Sequence, residues 1–335
     1  MTLILKIDSE KPDGDKILKA AEFIRKGEVV AFPTETVYGL GADAMNQEAI
    51  KKIFIAKRRP LDNPLIIHIS RVEQMYRLVE EVPSVAKKLM EAFWPGPLTI
   101  ILKKSSEVPP EATAGLNTVA IRMPDHKVAL QLIEFSSVPI AAPSANLSGK
   151  PSPTKAEHAI EDFYSKIACI IDSGRCRIGL ESTVMLLTED KPMILRPGAV
   201  TIEEIEKVIG NVEFNSNISK TSAVDKPVSP GMKYRHYAPE AKLWLASEDR
   251  LEEAVREALK VKKKVGVITR GEKNLQVAEV FNAGPDMEEY ASNIFAALRY
   301  LDGRGIEIII AEGVEETGIG VAIMNRLKKA ATRIV

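Results

Sequence analysis

An α/β fold in two unequal parts is predicted: a large N-terminal mixed twisted sheet with helices, followed by a small doubly wound parallel α/β domain. Three observations carry this. Strand-like apolar runs alternate with helix-period segments from end to end. The 335 residues suit about two domains at roughly 150 residues each. Composition shifts after Gly210.

Taken in order, residues 15–26 put Ile17, Ala20, Ala21 and Ile24 on one helical stripe, and Gly27 suits its C-terminal stop. Residues 29–32 read as a strand. Further strands are expected at 64–69, 98–102, 118–121, 138–141, 168–171, 183–187 and 193–195, with helices at 48–56, 84–93, 128–135 and 157–163. Together they make residues 1–210 one large mixed sheet. Residues 211–228 are polar, contain Ser and Asn and lack periodicity, as a linker does. The interdomain segment is drawn as 211–239, because residues 229–237 are too rich in aromatic and cationic side chains for an inert tether. In residues 240–335, strands at 241–245, 265–269 and 307–311 alternate with helices at 251–259 and 290–301. Tyr290, Ile294, Ala297, Leu298 and Leu301 fall on one helical face, which suits a parallel sheet with helices on both sides.

Charge and length exclude several function classes. Lys+Arg 46 against Asp+Glu 46 gives a formal net charge of zero, so the bulk field offers no general attraction to nucleic acid or an anionic membrane. Any anion site must be local. No apolar run approaches the ~20 residues of a spanning helix, and residues 1–8 have no signal-peptide layout, so a cytoplasmic protein without membrane contact is expected. Cys169 and Cys176 match neither a disulfide framework nor a zinc pattern, and no metal site is assigned.

Several motifs carry polar chemistry. No Walker A loop occurs. The Gly39-Leu40-Gly41-Ala42-Asp43-Ala44 run satisfies a weak dinucleotide pattern, but the polar Pro33 to Tyr38 stretch before it is no buried strand; a glycine-containing bend is expected there. Lys57-Arg58-Arg59-Pro60 closes a helix, either as a solvated end that complements the dipole or as an anion clamp. Pro143-Ser144-Ala145-Asn146-Leu147-Ser148-Gly149 follows a strand, where α/β ligands sit and loop amides meet anions; a plain Asx or Ser turn is the other reading. No Gly-x-Ser-x-Gly elbow marks a serine nucleophile. His68 shares a strand face with Ile66 and Ser70, and no second His or Cys lies near it to make a zinc site. Thr118, Arg122, Glu181-Ser182-Thr183 and Arg196-Pro197-Gly198 are the remaining candidates.

Read together, these motifs resemble the threonylcarbamoyl-AMP synthase family, in its long form with a YrdC-type domain and a smaller C-terminal domain. The resemblance rests on Pro33-Thr34-Glu35-Thr36-Val37-Tyr38-Gly39-Leu40-Gly41, Lys57-x-Arg59-Pro60 with Asn63-Pro64-Leu65, Trp94-Pro95-Gly96-Pro97-Leu98-Thr99, Ser144-Ala145-Asn146, Glu181-Ser182-Thr183-Val184 and Arg196-Pro197-Gly198-Ala199, in family order. Pro230-Gly231-Met232-Lys233-Tyr234-Arg235-His236-Tyr237 marks the long form. Met185-Leu186 departs from the family's usual Val-Asp, outside the motifs.

The resemblance implies a YrdC-like sheet and a Rossmann-like C-terminal domain. It also implies a reaction of L-threonine, bicarbonate or CO2, and ATP that gives L-threonylcarbamoyl-AMP and pyrophosphate, for the tRNA threonylcarbamoyladenosine modification beside the anticodon. Downstream tRNA threonylcarbamoyl-transfer proteins would complete the modification, with at most weak direct tRNA contact. By matching position, Lys57 and Arg59 are the catalytic pair on the reacting anion. Thr34, His68, Arg122 and Ser182 would hold threonine. Thr118, Ser144, Asn146 and Arg196 would hold the nucleotide together with Lys57 and Arg59, and Tyr234 would cover it. Triphosphate carries about four negative charges whose burial is costly unless paired. Lys57, Arg58, Arg59, Arg122, Arg196 and a Mg2+ ion arriving with ATP would balance them. The alternative is an RNA-binding module for tRNA or ribosome maturation, against which the zero net charge speaks. Carbamoyl chemistry in metalloenzyme maturation would need further Cys-rich domains.

Overall fold

The computed structural model describes residues 1–188, 191–214, 236–261 and 264–335. Among these, eleven strands form one sheet: β1 (Leu3–Lys6), β2 (Val30–Phe32), β3 (Gly39–Asp43), β4 (Ile66–His68), β5 (Leu98–Lys103), β6 (Thr118–Arg122), β7 (Ile140–Ala141), β8 (Cys169–Asp172), β9 (Thr183–Leu186), β10 (Met193–Arg196) and β11 (Glu213–Phe214). Their order is β1-β8-β2-β3-β7-β4-β6-β5-β9-β10-β11. Parallel pairs such as β4 with β6 sit beside antiparallel ones such as β5 with β6, so the expected mixed sheet is present. Its last strand lies just past Gly210.

Helices clothe both faces. Those of this part are α1 (Gly14–Arg25), α2 (Gln47–Lys57), α3 (Ser84–Phe93), α4 (Pro110–Thr113), α5 (Lys127–Ser136), α6 (Ala156–Phe163) and α7 (Ile202–Ile209). Ile17 and Ile24 of α1 and Leu132 and Ile133 of α5 pack with Val30 and Phe32 on one face. Ile50, Ile53 and Leu89 of α2 and α3 pack with Ala31 and Ile67 on the other. The α1 and α5 pair covers only half of its face. The neighbouring half carries a small apolar cluster of Ile66, Ile101, Ala120, Val184 and Leu195 that comes from strands alone. The polar cavity described below lies on this side of the sheet, with Ile66 in its wall.

The second sheet has the order β14-β13-β15-β12-β16, built from β12 (Lys242–Ala246), β13 (Val265–Thr269), β14 (Glu279–Asn282), β15 (Ile308–Glu312) and β16 (Arg333–Ile334). Every neighbouring pair is parallel. Helix α8 (Leu251–Val261) packs on one side, while α9 (Met287–Gly303) and α10 (Gly320–Ala330) pack on the other. This is the doubly wound arrangement the alternation predicts. Tyr290, Ile294, Ala297, Leu298 and Leu301 are all buried.

Where a bend was expected at residues 39–44, the chain forms β3, paired antiparallel with β2 and β7. The glycines serve packing here. A Cβ on Gly41 would lie 2.6 Å from Ile140 Cγ2 and 2.7 Å from Phe32 Cε1, so the strand can lie flush only without one. Strands β1, β11, β14 and β16 and helices α4, α7 and α10 have no counterpart in the expected elements. All four of those strands lie at sheet edges, where half the burial, and with it the apolar pattern, is missing. Helix α7 is nevertheless marked by a capping box, Thr201 with Glu204. Cys169 and Cys176 are buried free thiols, and burial raises the pKa of both, which makes them inert. Among the described residues no helix is long and apolar enough to cross a membrane.

The two sheets share a core. Val37 and Leu180 of the first part pack with Tyr237, Ala291 and Phe295. Gly179 marks the closest approach: its φ is +74°, and an added Cβ would lie 2.4 Å from the Ser292 carbonyl oxygen. Both facts oppose a side chain. Gly271 has a similar φ of +76° but open space around it. Gly179→Ala should therefore destabilise the fold by about 1–3 kcal/mol, measured by urea denaturation, and by clearly more than Gly271→Ala.

Candidate active site

The cavity is built where five chain segments meet Ile66 and His68 of strand β4 on the sheet. The first is the turn after β2. Thr34 Oγ1 accepts from the amides of Thr36 and Val37, both at 3.2 Å, and donates to the Val37 carbonyl at 2.6 Å. This local hydrogen bonding fixes the turn and turns Glu35 and Thr36 toward Arg122, at the end of β6. Arg122 Nη2 pairs with Glu35 Oε1 at 2.6 Å, with side chains 5% and 1% exposed. Its Nη1 donates to Thr36 Oγ1 at 2.9 Å and its Nε to the Gly96 carbonyl at 3.2 Å. A guanidinium has five N–H donors, so the fork is anchored with donors to spare.

The second segment is the end of α2. Arg58 takes the left-handed conformation that closes the helix and stands exposed, outside the cavity. That separates its neighbours. Arg59 lines the cavity, tied by Nε to the Asn63 carbonyl at 3.3 Å and by Nη2 to the Pro64 carbonyl at 3.1 Å. Lys57 does not line it. Its ammonium is buried and donates to the carbonyls of Ser144 and Asn146. Burial, reinforced by Arg59, pushes its pKa well below the ordinary lysine value.

Lys57 thus braces the third segment, the loop after β7, from behind. Ser144 Oγ donates to Asn146 Oδ1 at 2.5 Å, and Asn146 Nδ2 donates to the carbonyls of Leu147 and Lys150 at 2.8 and 3.0 Å. Ser144, Asn146 and Lys150 all face the cavity. The fourth segment joins the turn before β9 to the end of β10. Ser182 Oγ shares a hydrogen bond with Thr99 Oγ1 at 2.7 Å, while Arg196 donates from Nε to the Ser182 carbonyl and from Nη2 to Ser182 Oγ, both at 3.1 Å. The fifth is the start of the second domain. Tyr237 and His236 line the cavity, and the Tyr237 ring stacks on Phe295 with centroids 5.3 Å apart. Tyr234, expected as the cover, lies outside the described residues.

Of the residues the sequence singles out, the cavity gathers Thr34, Arg59, His68, Arg122, Ser144, Asn146, Ser182 and Arg196. Thr118 is not among its lining residues. It starts the strand that Arg122 ends, on the same face but roughly 13 Å away at about 3.3 Å per residue. Glu35, Glu181, Tyr237 and Arg326 have no role assigned from the sequence, although the first three lie inside quoted motifs. Glu181 accepts from Ser152 Oγ and pairs with Arg326 of α10, Nε to Oε2 at 2.8 Å. Burial would raise its pKa, but Arg326 and Arg196 outweigh that and hold the carboxylate below its usual range. Arg326 belongs to no motif and had no local signal.

Among the described lining residues, Arg59, Arg122, Lys150 and Arg196 stand against the single carboxylate of Glu181. Such a cavity attracts anions. No group of three or more His, Cys, Asp or Glu side chains suits a resident metal ion among the described residues.

Two family patterns together span most of the chain: one described as "Telomere recombination" matches residues 22–198, and "Threonylcarbamoyl-AMP synthase, C-terminal domain" matches residues 200–332. The threonylcarbamoyl-AMP synthase of Pyrococcus abyssi is 54% identical over 99% of this chain and 98% of its own. The chain belongs to the threonylcarbamoyl-AMP synthase family. The Bacillus subtilis synthase is 50% identical, covering 97% and 95% of the two chains. The crystal structure of P. abyssi Sua5 complexed with L-threonine superposes with a TM-score of 0.96 at 53% identity, covering 100% of this chain and 99% of that one. The present chain is therefore a nucleotidyltransferase-type enzyme with a YrdC-type first domain.

His68 supplies this synthase cavity with a neutral ring. It is buried, its Nδ1 lies 3.2 Å from the Ile66 carbonyl, and Phe32 meets it edge to face. Burial, with Arg122 nearby, depresses its pKa from 6.5 to about 3. The unfolded chain therefore binds a proton that the fold refuses. This stability contribution is complete above pH 6.5 and is lost as pH falls toward 3. At pH 5 one such histidine costs about 2 kcal/mol relative to neutral pH. His68→Gln should lose about that much less stability than the parent between pH 7 and pH 5 in urea denaturation; parallel losses would contradict the neutral ring.

Proposed function

We propose that this enzyme condenses L-threonine, CO2 or bicarbonate, and ATP into L-threonylcarbamoyl-AMP and pyrophosphate, supplying the threonylcarbamoyl group of the tRNA modification beside the anticodon. The observation that carries the reading is the cavity's ring of fixed cations in a chain so similar to a relative that binds L-threonine. The threonine amine adds to the CO2 carbon and loses a proton, giving a carbamate. A carbamate oxygen attacks the α-phosphorus, and pyrophosphate leaves with the bonding pair. This displacement needs alignment and charge neutralisation more than a protein nucleophile.

Each wall then has a task. Arg122, anchored by Glu35, Thr36 and Gly96, offers its remaining N–H donors to the threonine carboxylate as a bidentate fork. Ser182 and the neutral His68 ring meet the amino-acid hydroxyl and amine. Thr34 shapes that pocket by holding its turn, since its own hydroxyl is already engaged. Arg59, Lys150 and Ser144 take the phosphates, and Arg196 stabilises the charge that develops on the α-phosphate. A base directed along the apolar strand face of Ala120 and Leu195 would reach Thr118. Magnesium enters as part of MgATP, held by substrate phosphates, and the enzyme acts in the cytoplasm. An RNA backbone is a poorer fit than a small anion, because Arg122 and Arg196 are only 4% and 5% exposed.

Purified enzyme should release pyrophosphate from ATP only when both L-threonine and bicarbonate are present; release independent of threonine would refute the reading. Arg59→Ala should lower that rate at least about 100-fold with little change in melting temperature. Lys57→Met should also lower it, but with about 1–3 kcal/mol of stability lost, because the Asn146 carbonyl loses the ammonium and the Ser144 carbonyl keeps only the Asn146 amide.

A further inference from the structure

The loop of residues 144–151, which carries the phosphate-facing Ser144, Asn146 and Lys150, is gripped from two domains. From its own domain, Lys57 takes the carbonyls of Ser144 and Asn146. From the second domain, Arg299 of α9 reaches across the junction. Its Nε donates to the Pro151 carbonyl at 3.0 Å, and its Nη2 pairs with Asp162 Oδ2 at 2.7 Å, with side chains 6% and 1% exposed. Asp162 in turn accepts from the Leu147 amide at 3.2 Å and lies 3.4 Å from the Lys150 ammonium. The Ala238 amide adds a bond to the Gly149 carbonyl at 2.9 Å. Thus Arg299 holds the loop's far end directly and its middle through Asp162. Without Arg299, buried Asp162 would depend on the Lys150 ammonium 3.4 Å away, and the Arg299 fork meets a carboxylate and a carbonyl through separate N–H groups held in one rigid plane.

We propose that Arg299 is a positioning residue for nucleotide binding, through which the second domain sets the phosphate-facing loop of the first. The inference rests on the reading that this loop meets the ATP phosphates. The threonine pocket hangs on a different set of anchors, Glu35, Thr36 and Thr99, none of which touches Arg299. Nucleotide affinity therefore depends on Arg299 and threonine affinity does not. A role in general stability would weaken both.

The test uses the full chain and its variants Arg299→Gln and Arg299→Lys, with Arg304→Gln, an exposed arginine of the same helix end, as control. Calorimetry measures binding of a non-hydrolysable ATP analogue and, separately, of L-threonine without nucleotide; kinetics give KM for each substrate. The expected result is an affinity for the analogue about tenfold weaker in Arg299→Gln and intermediate in Arg299→Lys, matched in KM for ATP, with threonine affinity within about twofold of the parent. Should Arg299→Gln fail to fold, Arg299→Lys decides, because it keeps a charge beside Asp162. Unchanged analogue affinity in folded Arg299→Lys overturns the proposal, and so does a parallel loss of threonine affinity. If the parent binds the analogue yet releases no threonine-dependent pyrophosphate, the reaction assigned above fails, while the binding comparison still decides the role of Arg299.

Discussion

The ammonium of Lys57 is buried against the carbonyls of Ser144 and Asn146, in a place where water cannot solvate it. Fixed positive charge held by backbone oxygen is the condition on which the rest of the cavity depends. Arg59 rests on the carbonyls of Asn63 and Pro64 and Arg196 on that of Ser182, while Arg122 is held by the Gly96 carbonyl and the Glu35 carboxylate together. Carbonyl dipoles stabilise Arg59 and Arg196 while neutralising them far less than carboxylates would. The cavity wall therefore stays electropositive. Because the groups are set in place by the fold, no reorganisation is needed when charge shifts during the proposed adenylyl transfer.

That condition explains why so much of the molecule converges on the cavity. The turn at residues 33–38, the glycine-permitted strand β3 and the bracing lysine at the end of α2 each settle one wall relative to the sheet. The second domain adds two more supports. Arg326 neutralises Glu181, the carboxylate of the wall, and Arg299 neutralises Asp162 behind the loop. Removing Arg326 would leave the buried Glu181 without its ion-pair partner, which typically costs about 3–5 kcal/mol, whereas Asp162 would keep the Lys150 ammonium at 3.4 Å. The shared core around Val37, Leu180, Tyr237 and Phe295 makes the two sheets one structural unit.

Much of this was legible in the sequence, for identifiable reasons. Helix α9 and the central strands carry strong periodicity, and buried parallel strands such as Val265–Thr269 are continuous apolar runs. The cavity residues were legible because they lie in short polar motifs that interrupt those runs. What escaped detection has physical causes as well. Gly39–Asp43 reads as a bend because its glycines suit both turns and close-packed strands, and only the positions of Phe32 and Ile140 decide between them. Lys57 and Arg59 look equivalent on paper, but the left-handed Arg58 between them sends one behind the loop and the other into the cavity. Arg299 and Arg326 sit on amphipathic helices with no local mark, and their partners lie more than a hundred residues away.

The central claim is that a prearranged set of cations binds the nucleotide phosphates beside the amino acid. Crystals of the chain grown with L-threonine and a non-hydrolysable ATP analogue test it most directly. The triphosphate should lie within hydrogen-bonding reach of Arg59, Ser144, Lys150 and Arg196, with the threonine carboxylate on Arg122. A triphosphate bound away from Arg59 and Arg196, or threonine found outside the cavity, would contradict the account.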